Sequence, residues 1–250
     1  MTSTPDYGNW VSARRVVLPG VLSVLVACLG FLYWPVGLLA LPVFMACTYL
    51  AYTRYLFSSR GGNLQARIEA LVLEHLAWDG AGRALDIGCG KGPLTIALAK
   101  TFPRAQVTGI DRWGAAWECA QSVCEKNARA EAVATRVTFR RASAASLPFE
   151  DGAFDAAVSN LVFHEVRGVA ERTALLAEAL RVVKKGGRFA FQDLFLWKRA
   201  YGDIETVLAT LRSSGLESVE LIRTCEAPFI PRAVRLPFRV GTMAIICGTK

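Results

Sequence analysis

The sequence predicts an α/β protein with a doubly wound, mostly parallel sheet, preceded by a hairpin of two apolar helices. Three observations carry this prediction. Strand and helix patterns alternate from residue 64 onward, a glycine-rich turn follows a buried apolar run, and two segments near the N-terminus contain no charged residue. Alternating strands and helices are typical of parallel sheets covered by helices on both faces. A chain of 250 residues can hold one such domain and an appendage.

The two charge-free segments lie on either side of Pro35. Each is about 17–19 residues long and would extend on the order of 25–28 Å as a helix, close to the thickness of a bilayer core. Basic residues flank the pair at Arg14 and Arg54, and none lies between the segments. The positive-inside rule therefore predicts a transmembrane hairpin, with helices at about residues 16–34 and 36–53 and both ends in the cytoplasm.

Three other interpretations of this region stay open. A cleaved signal peptide would use the first apolar run, but no convincing small-residue cleavage site follows it. A re-entrant or interfacial hairpin is favoured by the short segments and by Pro42 within the second one. A hairpin buried in a soluble core is the third. We predict a membrane hairpin over residues 1–57 and a second domain over residues 58–250 that faces the cytoplasm.

Composition supports contact with a membrane, and the cysteines indicate a reducing compartment. Hydrophobic residues make up 53% of the chain and the formal net charge is +8, which suggests an anionic partner such as membrane lipid or nucleic acid. The seven cysteines form no Cys-x-x-Cys pair and no zinc spacing, so no metal site is expected. Their odd number argues against a disulfide framework and for a reducing compartment.

The alternation after the hairpin predicts a defined order of elements. We expect helices over residues 63–76, 115–129, 171–183 and 201–213, the third ended by Lys184-Lys185-Gly186-Gly187. We expect strands over residues 83–87, 107–111, 136–141, 154–159, 188–194, 219–224 and 240–248. The last two strands have no helix between them, which predicts an antiparallel hairpin at one edge.

The central motif is Asp86-Ile87-Gly88-Cys89-Gly90-Lys91-Gly92, between a buried strand and a helix. Glycines let the backbone take positive φ and approach a ligand closely, and the N-terminus of a helix favours polar or anionic groups. A second predicted strand ends in Asp111, which can accept both hydroxyls of a ribose. Two cofactor classes use such a turn, one of them the dinucleotides, and Asp111 alone does not choose between them. The alternative is a glycine turn that binds no ligand.

The Asp-x-Gly-x-Gly-x-Gly spacing resembles motif I of class I S-adenosylmethionine (SAM) methyltransferases. The resemblance covers about residues 64–250 and includes Gly109-Ile110-Asp111, Leu147-Pro148-Phe149 and Leu180-Arg181-Val182-Val183. Within that superfamily the chain resembles ubiquinone/menaquinone-type small-molecule methyltransferases and their membrane-tethered relatives. This resemblance implies a Rossmann-like methyltransferase fold, SAM as cofactor and a methyl-transfer reaction.

The resemblance also implies a set of cofactor-binding residues. The methionine end of SAM would lie on the glycine turn, the ribose on the strand-end acid, and the adenine beside Arg112 or Trp113, although Trp113 is equally interpretable as a core aromatic. Where the family often has an Asp for the adenine amino group, this chain has Ala142-Ser143. The implied contacts are Asp86, Gly88, Cys89, Gly90, Gly92, Asp111, Arg112, Trp113, Ser143, Ala144 and Asn160.

The catalytic residues are expected just beyond the fourth strand, in the segment Ser159-Asn160-Leu161-Val162-Phe163-His164-Glu165. His164 suits a general base, and Glu165 would orient it or act alone. The alternative is that His164 packs or caps the following helix. SAM carries an activated methyl group, so a well-positioned acceptor in a dry site can react without a strong base.

The acceptor is not fixed by the sequence. No Asn/Asp-Pro-Pro-Tyr/Phe run follows the fourth strand and no RNA-binding module is recognisable, so no nucleic-acid partner is expected. A membrane tether and the apolar, basic loop over residues 227–238 suit a small hydrophobic acceptor of the quinone, phenol, prenyl or lipid type. A small diffusible thiol or amine is an alternative acceptor. A catalytically silent SAM-binding membrane scaffold is an alternative of another class.

Overall fold

The structure is a computed structural model that describes residues 4–114, 121–169, 171–237 and 239–250. The chain divides into two compact units. One is Gly8–Arg67, and the other joins the residues up to Tyr7 with Ile68–Lys250. The division into a membrane domain and a cytoplasmic domain at residues 57 and 58 stays a prediction.

The smaller unit is helical. It holds α1 (Ala13–Gly30), α2 (Trp34–Leu38), α3 (Ala40–Phe57) and the start of α4 (Leu64–Glu74). Pro35 was expected to lie between two helices, but the structure has a short helix at this position. The proline lies in the first turn of α2, where a missing N–H costs nothing because that group has no partner within the helix.

Apolar side chains of α1 to α3 are exposed along their length. The most apolar 18-residue windows of Ala13–Gly30 and Trp34–Phe57 are each only 6% buried within the structure. Large exposed apolar surfaces are typical of segments that contact a membrane or a partner. The large exposed side chains include Val17, Leu18, Val21, Leu22, Val24, Leu25, Leu29, Phe31, Leu32, Leu38, Leu39, Leu41, Phe44 and Met45.

Small residues let the helices of this unit approach each other closely. A Cβ added to Gly30 would lie 2.5 Å from the Cα of Gly37, and one added to Gly20 would lie 3.2 Å from the Sγ of Cys47. The Cys47 thiol also donates a hydrogen bond to the Val16 carbonyl at 3.3 Å. Close contacts at small residues are the common mode of helix packing where no hydrophobic effect drives association.

The larger unit is built on a seven-stranded sheet with the order β3-β2-β1-β4-β5-β7-β6. The first five strands along the chain are parallel, and β7 runs antiparallel to both β5 and β6. This confirms the predicted mostly parallel sheet with an antiparallel edge hairpin. The strands are β1 (Gly82–Ile87), β2 (Ala105–Asp111), β3 (Val137–Arg141), β4 (Phe154–Asn160), β5 (Val183–Asp193), β6 (Ser218–Ile222) and β7 (Ala244–Thr249).

Helices pack on the sheet over two apolar clusters. Leu85 and Ile87 of β1 belong to one cluster and Ala84 to the other, as expected when successive side chains point to opposite faces. The remaining helices are α5 (Pro93–Thr101), α6 (Gln121–Ala130), α7 (Thr173–Arg181), α8 (Lys198–Tyr201) and α9 (Ile204–Ser213). The predicted start of α6, residues 115–120, lies outside the described residues.

Three sequence-based boundaries were wrong. Residues 184–187 do not end a helix, because β5 already begins at Val183 and its pairing with β4 is irregular before Ala156. The predicted helix over residues 201–213 is two helices, with Gly202 between them at φ 70°. Residues 240–242 form a 3₁₀ turn before β7 begins. In the first case the glycines fit a strand irregularity as well as a helix end. In the second case the glycine breaks the predicted helix into two.

The parallel topology brings several strand ends to one edge. Ile87 pairs with Ile110 of β2 and with Ser159 of β4, and Asn160 pairs with Gln192 of β5. The residues that follow these strands therefore meet at the carboxyl edge, where open α/β sheets bind ligands.

Candidate functional site

The glycine loop, residues 88–92, is fixed by backbone hydrogen bonds to the neighbouring strand. The N–H groups of Gly88 and Cys89 both donate to the Ile110 carbonyl, at 2.8 and 2.9 Å, and the Gly92 N–H donates to the Cys89 carbonyl at 2.7 Å. Gly88 and Gly90 have φ of 76° and 57°, a region that other residues rarely adopt. Gly92 is the N-cap of α5.

Asp111 closes the loop from the end of β2. Its Oδ2 accepts from the Gly90 N–H at 2.9 Å and its Oδ1 from the Trp113 N–H at 3.0 Å. The Trp113 indole N–H donates to the Gly90 carbonyl at 2.8 Å, and the ring packs against the apolar cluster of this face. Asp111 and Trp113 thus hold both polar groups of the Gly90 backbone, while the Arg112 side chain is exposed.

Asp86 lies beneath the loop and is 1% exposed. Its Oδ2 accepts from the Thr95 hydroxyl at 2.6 Å, which links the end of β1 to the first turn of α5. Burial raises the pKa of Asp86 to about 7, and the charge of Asp111 adds to this rise, while the hydrogen bond from Thr95 opposes it. The buried carboxyl therefore titrates near neutral pH.

The loop after β4 touches the glycine loop directly. A Cβ added to Gly88 would lie 2.1 Å from a methyl carbon of Val162, so only glycine fits opposite this valine. The Ser159 hydroxyl donates to the Ile87 carbonyl at 2.9 Å. These contacts bring the segment that carries His164 against the predicted cofactor turn.

His164 is paired with Asp193, the last residue of β5. The His164 Nδ1 lies 2.6 Å from Asp193 Oδ1, and the His164 backbone N–H donates to Asp193 Oδ2 at 3.2 Å. The Asp193 side chain is fully buried and that of His164 is 17% exposed. Burial alone would lower the pKa of His164, but the hydrogen bond and charge of Asp193 outweigh it and the net pKa is raised.

Three further polar side chains surround this pair. Glu165 Oε1 lies 3.6 Å from His164 Nε2, and the Arg172 guanidinium donates to the His164 carbonyl at 2.8 Å. Tyr201 is buried, and burial together with the charge of Asp193 raises the pKa of its hydroxyl far above the usual range. The tyrosine therefore stays protonated at any working pH.

The remaining predicted residues lie at the same edge. The Ala142 N–H donates to the Asp111 carbonyl at 3.0 Å, which places Ser143 and the buried Ala144 just beyond the end of β3. The Ser143 hydroxyl accepts from the Ala145 N–H at 3.2 Å. The buried Oδ1 of Asn160 accepts no hydrogen bond from the part of the chain that the structure describes.

Asp193, Arg172 and Tyr201 were not predicted as site residues. Asp193 carried a usable signal, because it ends a predicted buried strand as Asp111 does, and acids at parallel strand ends share one edge. Arg172 and Tyr201 lie on elements whose approach to His164 depends on tertiary packing. Among the described residues no three His, Cys, Asp or Glu side chains are grouped as a metal site.

Part of the chain is similar to known proteins. Residues 85–191 match the family description "Methyltransferase domain". The chain is 34% identical over 125 residues to the ubiquinone/menaquinone biosynthesis C-methyltransferase UbiE of Syntrophotalea carbinolica, covering 50% of this chain and 49% of that protein. It is 38% identical over 132 residues to the O-methyltransferase rstn1 of Aspergillus nomiae, covering 52% and 54%. The chain thus spans about half the length of these relatives.

Solved structures agree on the fold. The geranyl diphosphate C-methyltransferase of Streptomyces coelicolor A3(2), solved with S-adenosyl-L-homocysteine, superposes with a TM-score of 0.56 at 16% identity, over 79% of this chain and 82% of that one. At this identity the likeness concerns the fold alone. The family match over residues 85–191 and the relatives support a SAM-dependent methyltransferase domain in this part of the chain, with S-adenosylmethionine as its cofactor.

Proposed function

We propose that this chain is a membrane-tethered SAM-dependent methyltransferase that acts on a small hydrophobic acceptor of the quinone, phenol, prenyl or lipid type. One observation carries the proposal. The glycine loop closed by Asp111 touches, through Gly88 and Val162, the segment that holds the His164–Asp193 pair. The proposed cofactor-binding loop and the proposed proton acceptor therefore meet at one edge of the sheet.

The residues of the loop fit SAM. A Cβ added to Gly90 would meet no atom within 4 Å, so the loop faces open space there, and the buried Asn160 Oδ1 offers an unused acceptor at the same edge. We assign the methionine end of SAM to the glycine loop and Asp86, and the ribose to Asp111. The adenine is assigned to Arg112, Trp113, Ser143 and Ala144. SAM supplies an electrophilic methyl group when bound.

His164 is the proposed general base. Because Nδ1 faces the buried Asp193 carboxylate, that nitrogen holds the proton and donates to Asp193, and the lone pair of Nε2 remains to accept a proton. Asp193 fixes the ring orientation and stabilises the imidazolium that forms. Glu165, 3.6 Å from Nε2, adds a second negative charge beside the accepting nitrogen. An acceptor hydroxyl that loses its proton to Nε2 becomes the nucleophile.

The hydrophobic acceptor is inferred from the apolar hairpin and the relatives. Helices α1 to α3 leave their apolar side chains exposed, which would be costly in water and is favourable in a bilayer. An enzyme held at a membrane meets acceptors that dissolve in lipid. UbiE is named for quinone biosynthesis and rstn1 for O-methylation. A phenolic or quinol hydroxyl unites these features, because its deprotonation activates either the oxygen or the adjacent ring carbon.

Cofactor binding is tested at Asp111. Asp111→Ala should raise the Kd for SAM by about tenfold or more, because charge-assisted hydrogen bonds contribute about 1.5–3 kcal/mol each. Titration calorimetry measures this Kd. The matched control is Asp203→Ala, because Asp203 is an exposed acid just before α9. Binding of NAD instead of SAM by the wild-type chain would disprove the assignment of the loop.

The pairing of His164 is tested by its protonation. Asp193→Asn should lower the pKa of His164, because the carboxylate that stabilises the imidazolium is removed. Glu165→Gln should lower it less, since that charge is farther away and more exposed. An NMR titration of the histidine ring protons measures both. An unchanged pKa in Asp193→Asn would mean that the pair does not exist in solution.

The catalytic role is tested by turnover. His164→Ala should reduce methyl transfer by at least about 10²-fold while SAM binding stays near wild type, as expected for loss of a general base. The assay combines methyl-labelled SAM with a membrane extract and detects products by mass spectrometry. His75→Ala, the other histidine, is the control. With a phenolic acceptor, raising the pH should restore part of the rate. Unchanged turnover would leave His164 with a structural role only.

The membrane topology is tested with tags at both ends of the chain. Both tags should be cut by protease in inside-out vesicles and protected in right-side-out vesicles, because the basic flanks hold both ends in the cytoplasm. A tag inserted at residue 32, in the turn after α1, should show the opposite pattern. Tags at the two ends on opposite sides of the membrane would rule out the hairpin.

A further inference from the structure

The N-terminal strap, defined as residues 4–7, is bound to the glycine loop through one buried side chain. Asn127 of α6 is 1% exposed. Its Oδ1 accepts from the Asp6 N–H and its Nδ2 donates to the Asp6 carbonyl, both at 2.9 Å. The same Nδ2 donates to the Lys91 carbonyl at 3.0 Å. One amide group thus joins the backbone of the strap to the backbone of the loop.

Helix α6 holds two consecutive carbonyls of the glycine loop. The Cys124 thiol donates to the Gly90 carbonyl at 3.1 Å, and Asn127 donates to that of Lys91. Residues three apart on a helix share a face, so these two side chains form one surface against the loop. The orientation of the Asn127 amide, and with it the second of these bonds, depends on its pair of bonds to Asp6.

Two side-chain contacts complete the strap. Asp6 Oδ2 lies 2.9 Å from Lys91 Nζ, and the Tyr7 hydroxyl donates to Glu131 Oε1 at 3.3 Å. Tyr7 also packs against the apolar cluster on this face of the sheet. The Asp6 side chain is 71% exposed, so its ion pair contributes little, and the buried Asn127 and the packed Tyr7 contribute most. Burial raises the pKa of Tyr7, which keeps its hydroxyl a donor.

We propose that the strap is a positioning element of the cofactor site. By satisfying Asn127 it fixes the carbonyls of Gly90 and Lys91, and hence the shape of the turn that receives SAM. The inference rests on the proposed binding of SAM. Because a docked strap favours the SAM-binding form of the loop, bound SAM must favour the docked strap by the same factor.

The first arm of the test measures affinity in the full-length chain. The double variant Asp6→Pro with Tyr7→Ala removes the backbone N–H that Asp6 donates to Asn127 and the tyrosine ring that packs on the apolar cluster, the two kinds of contact that contribute most to the bound strap. It should raise the Kd and KM for SAM about 3-fold to 10-fold and leave kcat unchanged. Asn127→Asp keeps the acceptor oxygen but loses the donor, so it should weaken SAM binding more. Asp203→Ala is the control.

The second arm measures hydrogen exchange of the strap in the wild-type chain with and without SAM. Exchange at the Asp6 amide should slow when SAM binds, which a purely structural strap would not do. A double variant that binds SAM within twofold of wild type, with no SAM-dependent change in exchange, would overturn the inference while leaving SAM binding intact. A wild-type chain that does not bind SAM would instead overturn the proposed function.

Discussion

The site depends on the hydrogen bonds that the end of β2 makes to the glycine loop. The Ile110 carbonyl accepts from two loop amides, and the next residue, Asp111, accepts from a third. A loop rich in glycine loses much conformational entropy when it is ordered, and these bonds offset that cost. They exist only because β2 lies next to β1 in parallel register. The strand order therefore determines the shape of the loop.

The three acids of the site lie in different surroundings. Asp86 is buried with a neutral hydroxyl partner, so burial raises its pKa to about 7. Asp193 is equally buried but faces His164, whose imidazolium it stabilises. Asp111 accepts two backbone N–H groups and is partly exposed. One sheet edge thus offers a buried acid whose pKa is raised to about 7, an acid paired with a histidine, and an acid that accepts from two backbone N–H groups.

Much of the fold could be predicted because its signals are local. The alternation of apolar residues located the strands, and the glycine spacing located the loop that Asp111 closes. The partner of His164 was missed because Asp193 is 29 residues away and reaches it only through strand pairing. Asn127 was missed for a similar reason, since a polar residue on a helix shows no sign of burial in the sequence. Its partner Asp6 is 121 residues away. The glycines at 186 and 187 misled because their pattern fits both a helix end and a strand irregularity.

The contact between Gly88 and Val162 has a consequence for how such an enzyme can change its substrate. The valine belongs to the segment that carries His164, and no side chain intervenes between it and the backbone of the glycine loop. A larger residue at position 162 would push the loop, and a smaller one would leave it less supported. Selection for a new acceptor through this position would therefore alter cofactor affinity as well. Divergence of specificity is expected to proceed first through positions that do not touch the loop.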